Sequence, residues 1–468
     1  MKKVLIATAF AICLAGSAKA DLAGQIDAIV RSQKKVEFSI QVVEADSGKT
    51  VYQHQAHQAL VPASNMKIIT SAAAVKYLGP DYEYRTKVGL RGDTLIVTGS
   101  GDPLLGDRAT DAKHGRPAGW MFDALIAALK RSRVDAITDI VVDSGIFDDQ
   151  RVHPSWPEEE LNRWYACEVS GVNFNDNCID VTAENNSGHV TVSIEPQTKY
   201  VQIIDKVTPI SAGAQAVGSY RTTEANRIIV FGKCKDKVGP FFVAIERPAA
   251  FFGFLVAENL AGAGINVEGR ITGKALANDD DVVDLVEYRT SLADCLARCN
   301  KNSLGLAVEC LLKTIAAHSN PDKKGGSWSK GRDLVTQYLL SLDIEQNEVY
   351  IDDGSGLSRQ NRLSANVITN VLLDVYKSDN WELYKASLAV GGVDGTIDRH
   401  FKEPAYKGRI FGKTGYISGV RSFSGVCTTD GGDFIFSIIA NNASGGTREA
   451  INDMAKAIID SQSVTADR

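Results

Sequence analysis

The spacing of hydrophobic residues predicts three elements at the start of the chain. Four apolar side chains share one face of a helix predicted over residues 21–32: Leu22, Ile26, Ile29 and Val30. Residues 37–54, EFSIQVVEADSGKTVYQH, alternate between apolar and polar side chains and contain an Asp-Ser-Gly turn. This pattern predicts a β-hairpin. Residues 61–79, VPASNMKIITSAAAVKYLG, are apolar almost throughout and predict a helix buried on all sides.

The pattern changes in the middle of the chain. From about residue 82 to about residue 285, short β runs such as TLIVTGSGD, HVTVSIEP and NRIIVFGK are separated by Gly, Asn and Asp turns. Few long helices are predicted in this stretch. We therefore predict an inserted region at 88–282, mainly β and made of two nested domains.

Helical spacing returns after the insertion and continues to about residue 384, and two or three strands within 408–442 precede a last helix. The first and last segments, 21–87 and 283–468, can close one sheet that helices cover. A chain of 468 residues exceeds what one simple core needs, which agrees with two or three domains. The prediction is a multi-domain, mixed α/β protein.

The first twenty residues, MKKVLIATAFAICLAGSAKA, have the basic start, apolar run and small-residue cleavage site of a secretory signal. The mature chain is therefore expected to begin at Asp21 and to act outside the cytoplasm, in a periplasm or an equivalent compartment. The net charge is −6, and the leader contributes only lysines to it, so bulk charge argues against binding nucleic acid. No later stretch is apolar enough to predict a membrane span.

Seven cysteines remain after the leader, and export predicts that some of them pair, although an odd number leaves at least one free. Cys295, Cys299 and Cys310 lie close in sequence without a histidine nearby, which favours a disulfide or buried thiols over zinc. His54 and His57 lie in a predicted strand, where they would point to opposite faces. No metal site and no cofactor is predicted.

Ser64 and Lys67 are the first candidates for chemistry. Residues three apart share one face of a helix, so the Lys67 amine can reach the Ser64 hydroxyl. A serine becomes a nucleophile when a base takes its proton, and a lysine is a base only when it is neutral. Burial among apolar neighbours and a second cation would lower its pKa. The spacing alone is weak evidence, because Ser-x-x-Lys also occurs at Ser32 and Ser327.

A second motif makes the interpretation more specific. Lys413-Thr414-Gly415 is the one Lys-[Ser/Thr]-Gly of the chain and lies in a strand-like run. A strand places Lys413 and Gly415 on one face and Thr414 on the other, and glycine lets a substrate backbone lie close. The two motifs together match a known serine acyl-transfer set.

With these motifs, the chain resembles penicillin-binding proteins of the D-Ala-D-Ala carboxypeptidase/endopeptidase type that carry a large insertion after the nucleophile helix (class C, peptidase family S13). The stretches that carry the resemblance are PASNMK, GSGDPLL, NFNDNC, DDGSGLSRQNRLS, GGVDGT and GKTGYISGVRS. The resemblance implies a transpeptidase-like domain of the penicillin-binding/β-lactamase type, with an antiparallel sheet covered by helices and nested inserted domains.

The resemblance also implies roles for single residues. Ser64 would be acylated and Lys67 would be its base, while Lys413 and Thr414 would face the carboxylate of a stem peptide or a penicillin. The backbone N–H groups of Ser64 and Tyr416 would form the oxyanion hole.

The third family motif, Ser-x-Asn, falls on Ser303-Leu304-Gly305, so the serine is present and the asparagine is a glycine. Ser303 could still pass a proton to the leaving amine. Asn302 could partly replace the missing amide if its segment is helical. Losing one positioned donor typically costs on the order of 10²-fold in rate, so reduced activity is expected rather than none.

The resemblance therefore predicts a serine D-Ala-D-Ala carboxypeptidase/endopeptidase that acts on peptidoglycan stem peptides and that β-lactams inhibit. A damped peptidoglycan-binding protein on the same fold is the alternative, motivated by Gly305. A β-lactamase is a third. Glu158-Glu-Glu-Leu-Asn162 matches a deacylating motif of β-lactamases, but it precedes Ser303 in the chain, whereas in that family it follows the serine motif, so a solvated acidic turn is favoured.

Overall fold

The computed structural model describes residues 22–273, 275–276 and 281–462, so the predicted leader and Asp21 lie outside the described residues. The strands are β1 Glu37–Glu44, β2 Thr50–His54, β3 Glu83–Arg91, β4 Thr94–Thr98, β5 Ala136–Ile137, β6 Ile140–Asp143, β7 Cys178–Asn186, β8 His189–Glu195, β9 Gln202–Pro209, β10 Ala216–Arg221, β11 Arg227–Cys234, β12 Lys237–Ala244, β13 Asn266–Val267, β14 Ile271–Gly273, β15 Val283–Ser291, β16 Val349–Tyr350, β17 Arg362–Leu363, β18 Ala389–Val390, β19 Ile410–Ile417, β20 Val420–Thr429 and β21 Gly432–Asn441. The helices are α1 Leu22–Ser32, α2 Met66–Leu78, α3 Arg108–Lys113, α4 Trp120–Arg131, α5 Pro248–Gly262, α6 Leu292–Asn300, α7 Gly305–Ser319, α8 Trp328–Leu340, α9 Ala365–Tyr376, α10 Trp381–Ser387 and α11 Thr447–Gln462.

The two ends of the chain build one antiparallel sheet of six strands in the order β18-β19-β20-β21-β1-β2. The predicted hairpin β1–β2 joins it through β1, which pairs with β21. Successive residues of β21 enter different cores: Ile438 packs with α1 and α11, and Ile439 packs with α2 and α9. The prediction of one sheet closed by the first and last segments is confirmed.

Helix α2 is buried from Met66 to Val75, as its uniformly apolar sequence predicts, and it packs against α7 and α9. It ends at Leu78 and is followed by Gly79, whose φ of 86° suits a residue without a Cβ. Helix α7 is equally buried from Gly305 to Ala317. These two helices form the centre of the largest hydrophobic core.

The middle of the chain forms further sheets. β3 and β15 pair along their length within a five-stranded sheet in the order β14-β6-β4-β3-β15, in which β15 is an edge strand. Two three-stranded sheets follow, β12-β7-β8 and β10-β11-β9. Helices α4 and α5 pack on the five-stranded sheet, and the strand-rich pattern of this region did not single them out.

β3 connects the two largest cores, because Tyr84 packs in the core of α2 and Val88 packs in the core of the inserted region. The division into 21–87 and 283–468 on one side and 88–282 on the other remains a prediction. So does the nesting of two domains within the insertion.

The expectation that some cysteines pair is wrong for the described chain. All seven thiols outside the leader are free and buried: Cys167, Cys178, Cys234, Cys295, Cys299, Cys310 and Cys427. They act as small apolar core residues, and burial raises the pKa of Cys299 to about 12. Free thiols of this kind are inert because the reactive form is the thiolate.

His57 lies beyond the end of β2 rather than in the predicted strand, and its Nδ1 lies 3.0 Å from the Glu348 carboxylate. Among the described residues, no group of three or more His, Cys, Asp or Glu side chains is arranged to hold a metal ion. Across the same residues, every helix is too short or too polar to cross a bilayer.

Candidate active site

Ser64 lies in a single 3-10 turn, Ala63–Asn65, that leads directly into α2, so it precedes the helix proper. This turn packs against β19. A Cβ on Gly415 would come within 3.0 Å of the Ser64 backbone nitrogen, so only glycine lets the strand run this close to the serine. Asn65 ties the same turn to the sheet by donating a hydrogen bond of 2.6 Å to Ser424 Oγ.

Lys67 lies on the first turn of α2 with its Nζ 3.4 Å from Ser64 Oγ. The same Nζ also donates to the Ser355 carbonyl oxygen at 2.8 Å. Burial lowers the pKa of Lys67, while Cys299, Glu309 and Asp353 act in the opposite direction. A buried lysine of this kind can hold a neutral amine beside the serine hydroxyl, which general-base chemistry requires.

A second pair of serine and lysine lies beside the first. Lys413 is fully buried and donates to Ser303 Oγ at 2.9 Å and to the Thr414 carbonyl at 2.7 Å. Burial, followed by repulsion from Lys67, holds the pKa of Lys413 well below its usual range. Ser303 lies in the link between α6 and α7, with a left-handed φ of 61° that turns the chain into the site.

One cavity of about 810 Å³ collects most of the predicted site residues: Ser64, Lys67, Ser303, Thr414 and Tyr416. Lys413 and Gly415 are not among its lining residues and lie behind its wall. The structure therefore brings the predicted residues together, with the buried Lys413 reaching the cavity through Ser303 rather than lining it. Other lining residues come from the inserted region and from the loop after β16, among them Ser155, Glu160, Trp164, Tyr165, Arg359 and Gln360.

Glu309 supports Lys67 through the backbone of Ser355. The sequence alone did not reveal this role of Glu309. Its carboxylate accepts hydrogen bonds from the Ser355 N–H at 2.7 Å, the Gly354 N–H at 3.0 Å and the Trp328 indole at 2.8 Å. Burial raises the pKa of Glu309 to about 7. Because Ser355 also accepts from Lys67, Glu309 fixes the carbonyl that orients the amine. A single acid in an otherwise apolar stretch of α7 was the available signal.

Asp353 holds the rest of the same loop. It accepts from the backbone N–H groups of Gly356 and Ser358, both at 2.7 Å, and from the Trp156 indole at 2.9 Å. The segment DDGSGLSRQNRLS therefore forms a rigid wall beside Lys67. Such preorganised support keeps catalytic groups in place without reorganisation during the reaction.

At the position of the missing asparagine, the backbone of the inserted region occupies the space that a side chain would need. Gly305 is the first residue of α7, and a Cβ there would lie 2.8 Å from the Tyr165 carbonyl oxygen. The expectation that Asn302 partly replaces the missing amide is not met, because its segment is not helical and its side chain is exposed, although it borders the cavity. The glycine therefore accommodates the Trp164–Ala166 turn, which stands where a side chain would otherwise project.

We expect Gly305→Ala and Gly305→Asn to lower the free energy of unfolding by similar amounts, about 1–3 kcal/mol, because both add the Cβ that meets Tyr165. Gly305→Asn should also fail to speed acylation by penicillin. Chemical denaturation and adduct formation measure the two effects. Gly262→Ala at the end of α5 is the control, since nothing lies within 4 Å of its Cβ position. Faster acylation by Gly305→Asn would contradict this account.

Glu158, considered for a β-lactamase role, lies exposed in a 3-10 turn and does not line the cavity. Glu160, two residues on, does line it and accepts a hydrogen bond from the Tyr165 hydroxyl. Of Glu158 and Glu160, only Glu160 borders the cavity, and its hydrogen bond is with Tyr165 rather than with Ser64 or Lys67.

Comparison with known proteins places the chain in context. The family model described as the D-Ala-D-Ala carboxypeptidase 3 (S13) family matches residues 22–462. A D-alanyl-D-alanine carboxypeptidase of Actinomadura sp. (strain R39) is 28% identical, over 94% of this chain and 84% of that protein. The carboxypeptidase DacB of Haemophilus influenzae is 24% identical, over 80% of this chain and 78% of that protein.

Solved structures share the fold. Penicillin binding protein 4 of Haemophilus influenzae aligns with a TM-score of 0.78 at 20% identity, over 93% of this chain and 98% of that chain. Bd3459, a predatory peptidoglycan endopeptidase of Bdellovibrio bacteriovorus, aligns with a TM-score of 0.52 at 14% identity, over 91% and 93% of the two chains. The penicillin-binding type of fold expected from the motifs is confirmed.

Proposed function

Because the chain belongs to the D-Ala-D-Ala carboxypeptidase 3 (S13) family, we propose that this peptidase is a serine acyl-enzyme that cleaves D-Ala-D-Ala bonds of peptidoglycan stem peptides. The proposal includes both removal of the terminal D-Ala and cleavage of D-Ala cross-links. The observation that carries it is the pair of Ser64 and Lys67, 3.4 Å apart, beside the pair of Ser303 and Lys413. By the same chemistry, penicillin acylates Ser64 and inhibits the enzyme.

In the proposed mechanism, neutral Lys67 takes the proton of Ser64 while Ser64 Oγ attacks the carbonyl carbon of the penultimate D-Ala. The backbone N–H groups of Ser64 and Tyr416 stabilise the negative oxygen of the tetrahedral intermediate. The C–N bond breaks as Ser303 delivers its hydroxyl proton to the leaving amine, and the proton held by Lys67 restores the Ser303 hydroxyl and leaves Lys67 neutral again. Water then hydrolyses the ester on Ser64 and regenerates the hydroxyl.

The carboxylate of the substrate is proposed to bind at Thr414. Its hydroxyl borders the cavity and lies 2.8 Å from the Thr396 hydroxyl, which also borders it. Lys413 is buried behind this wall, so its contribution passes through Ser303, whose hydroxyl it orients. Lys413 is thus proposed as a positioning residue for the proton transfer to the leaving amine.

A damped peptidoglycan-binding protein is the second candidate, and Gly305 is the observation in its favour. Both serine–lysine pairs are intact in geometry, which is why the enzyme is preferred. The proposed location is outside the cytoplasm, where peptidoglycan is found and where the predicted leader would direct the chain.

Release of D-Ala from an acylated D-Ala-D-Ala peptide tests the proposal. We expect the purified protein to release one D-Ala per peptide, to leave the corresponding L-Ala-L-Ala peptide intact, and to lose activity after treatment with penicillin. Absence of D-Ala release, together with measurable binding of peptidoglycan fragments, would favour the binding protein instead.

A further inference from the structure

A second, smaller cavity of about 210 Å³ adjoins the active-site cavity on the far side of Thr414. Thr396, Thr414 and Tyr416 border both cavities, so the hydroxyl proposed to bind the substrate carboxylate lies on the ridge between them. The remaining wall comes from β20 and the first turns of α11 and includes two arginines, Arg421 and Arg448. We call this cavity the arginine groove.

The arginine groove carries two guanidinium groups that no carboxylate of the described chain pairs with. Arg421 lies with its guanidinium carbon 3.8 Å from the centre of the Tyr416 ring. The side chains of Arg421 and Arg448 form no ion pair and no hydrogen bond within the described part of the chain. Arg448 is close enough that, after burial, its charge is the largest influence lowering the pKa of Arg421.

A histidine and a carboxylate are the other titratable groups that we consider beside the two arginines. His400 borders it, and its Nδ1 lies 3.4 Å from Asn452 Nδ2. Glu449 acts on Arg421 in the opposite direction to Arg448, but it lines a neighbouring cavity together with Arg399 and Lys456. Two guanidinium groups that face one groove repel each other, and an anion bound between them would relieve that repulsion.

The place of the groove relative to Thr414 identifies which part of a substrate would enter it. The acyl part of the substrate lies on the Ser64 side of the ridge, and the leaving group lies at Thr414. A free terminal D-Ala ends at its carboxylate, so it reaches the ridge and no further. The strand released from a cross-link continues past that carboxylate and carries further carboxylates of its own.

We propose that the arginine groove binds the leaving strand of a cross-linked stem peptide through a carboxylate beyond the scissile bond, so that the site favours cross-links over free D-Ala-D-Ala termini. This inference rests on the proposed function. The chemistry is the same hydrolysis: the C–N bond breaks, the leaving amine gains the proton passed by Ser303, and water supplies the oxygen that later releases the acyl group from Ser64.

The test compares two substrates and four proteins. The substrates are a purified cross-linked peptide dimer and the uncross-linked pentapeptide, and the proteins are the wild type, Arg421→Gln, Arg448→Gln and the control Arg399→Gln. We expect kcat/KM for the dimer to fall about 10-fold or more in each groove variant, since a charge-assisted hydrogen bond is lost. Pentapeptide turnover should change less than about 2-fold, and Arg399→Gln should leave both substrates unchanged.

Each outcome decides the proposal. Equal losses on both substrates would mean that the arginines bind the carboxylate at Thr414 itself, and no loss on the dimer would mean that the groove is not used; either result overturns it. Formation of the penicilloyl adduct at the wild-type rate shows that a variant is folded. A wild-type protein that forms no adduct and cleaves neither substrate would instead refute the proposed function. This result would be seen with the wild type alone, before any variant is made.

Discussion

Ser64→Ala is expected to abolish turnover of a D-Ala-D-Ala peptide, with a loss on the order of 10⁵-fold or more, because the substitution removes the atom that we propose forms the acyl-enzyme. The rest of the site should stay in place. Lys67 keeps its hydrogen bond to the Ser355 carbonyl, and the turn that carries residue 64 stays tied to β20 through Asn65. Release of D-Ala measured over hours, with a fold check by circular dichroism, gives the result.

Ser155→Ala is the matched control for this variant. Ser155 borders the same cavity, and its hydroxyl accepts a hydrogen bond of 2.9 Å from Gln360, so its removal perturbs the wall without touching the nucleophile. We expect turnover within about 3-fold of the wild type, typical of a neutral hydrogen bond at a partly exposed site. Turnover by Ser64→Ala comparable to that of Ser155→Ala would mean that another residue is acylated or that no acyl-enzyme forms.

Lys67→Met is expected to slow acylation of Ser64 by about 10²-fold to about 10⁴-fold, the range that a positioned general base contributes. Methionine retains the length and the apolar contacts of the side chain and removes only the amine. The free energy of unfolding should not fall, because burial already disfavours the charged form of Lys67. The initial rate of penicilloyl-enzyme formation, followed by mass spectrometry, measures the effect.

The pH dependence of the same rate has a definite sign. Lys67 acts as a base only when it is neutral, and burial lowers its pKa, so acylation should rise with pH and level off at a lower pH than an exposed lysine would allow. This rise should be absent in Lys67→Met. Glu309 titrates near its pKa of about 7, so only the part of the profile that disappears in Lys67→Met is assigned to the lysine.

Lys76→Met on the same helix is the control, because Lys76 is exposed and lies near the Tyr338 ring, far along α2 from the serine. It should acylate at the wild-type rate with an unchanged pH profile. If Lys67→Met acylated as fast as Lys76→Met, the base would have to be sought elsewhere in the cavity.

The pairing of Ser64 with Lys67 could be predicted because it is local. Three residues of helical chain fix the distance, and the apolar run around Lys67 already implied burial and a lowered pKa. The same spacing misleads elsewhere: Ser327 caps α8 by accepting from the Lys330 N–H, and Ser32 bonds to the Ile29 carbonyl. What distinguishes Ser64 is the surrounding fold, which the spacing does not contain.

The supporting residues could not be predicted because they are distant in the chain. Glu309 meets Ser355 across 46 residues, and the Tyr165 carbonyl meets Gly305 from within the inserted region. Such contacts depend on how α7 packs against the loop after β16. For the same reason Lys413 was expected to face the substrate, although in the fold its side chain is buried and reaches Ser303.

The fold was predictable where periodicity was strong. The hairpin β1–β2, the apolar α2 and the C-terminal strands follow from alternation or from a continuous apolar run. Helices α4 and α5 were passed over because they lie among strands, and α5 is apolar on all sides. The pairing of cysteines was inferred from compartment alone, whereas in the structure each of the seven thiols outside the leader is free and buried.

We propose that Ser64 is an acylated nucleophile in spite of Gly305. The most direct test of this proposal is the intact mass of the mature protein over time after mixing with a penicillin, with Ser64→Ala alongside. We expect one penicilloyl adduct that maps to the peptide containing Ser64, decays slowly, and does not form on Ser64→Ala. No adduct at any time would contradict it and would place the peptidoglycan-binding function first, and an adduct on both proteins would assign the nucleophile to another residue.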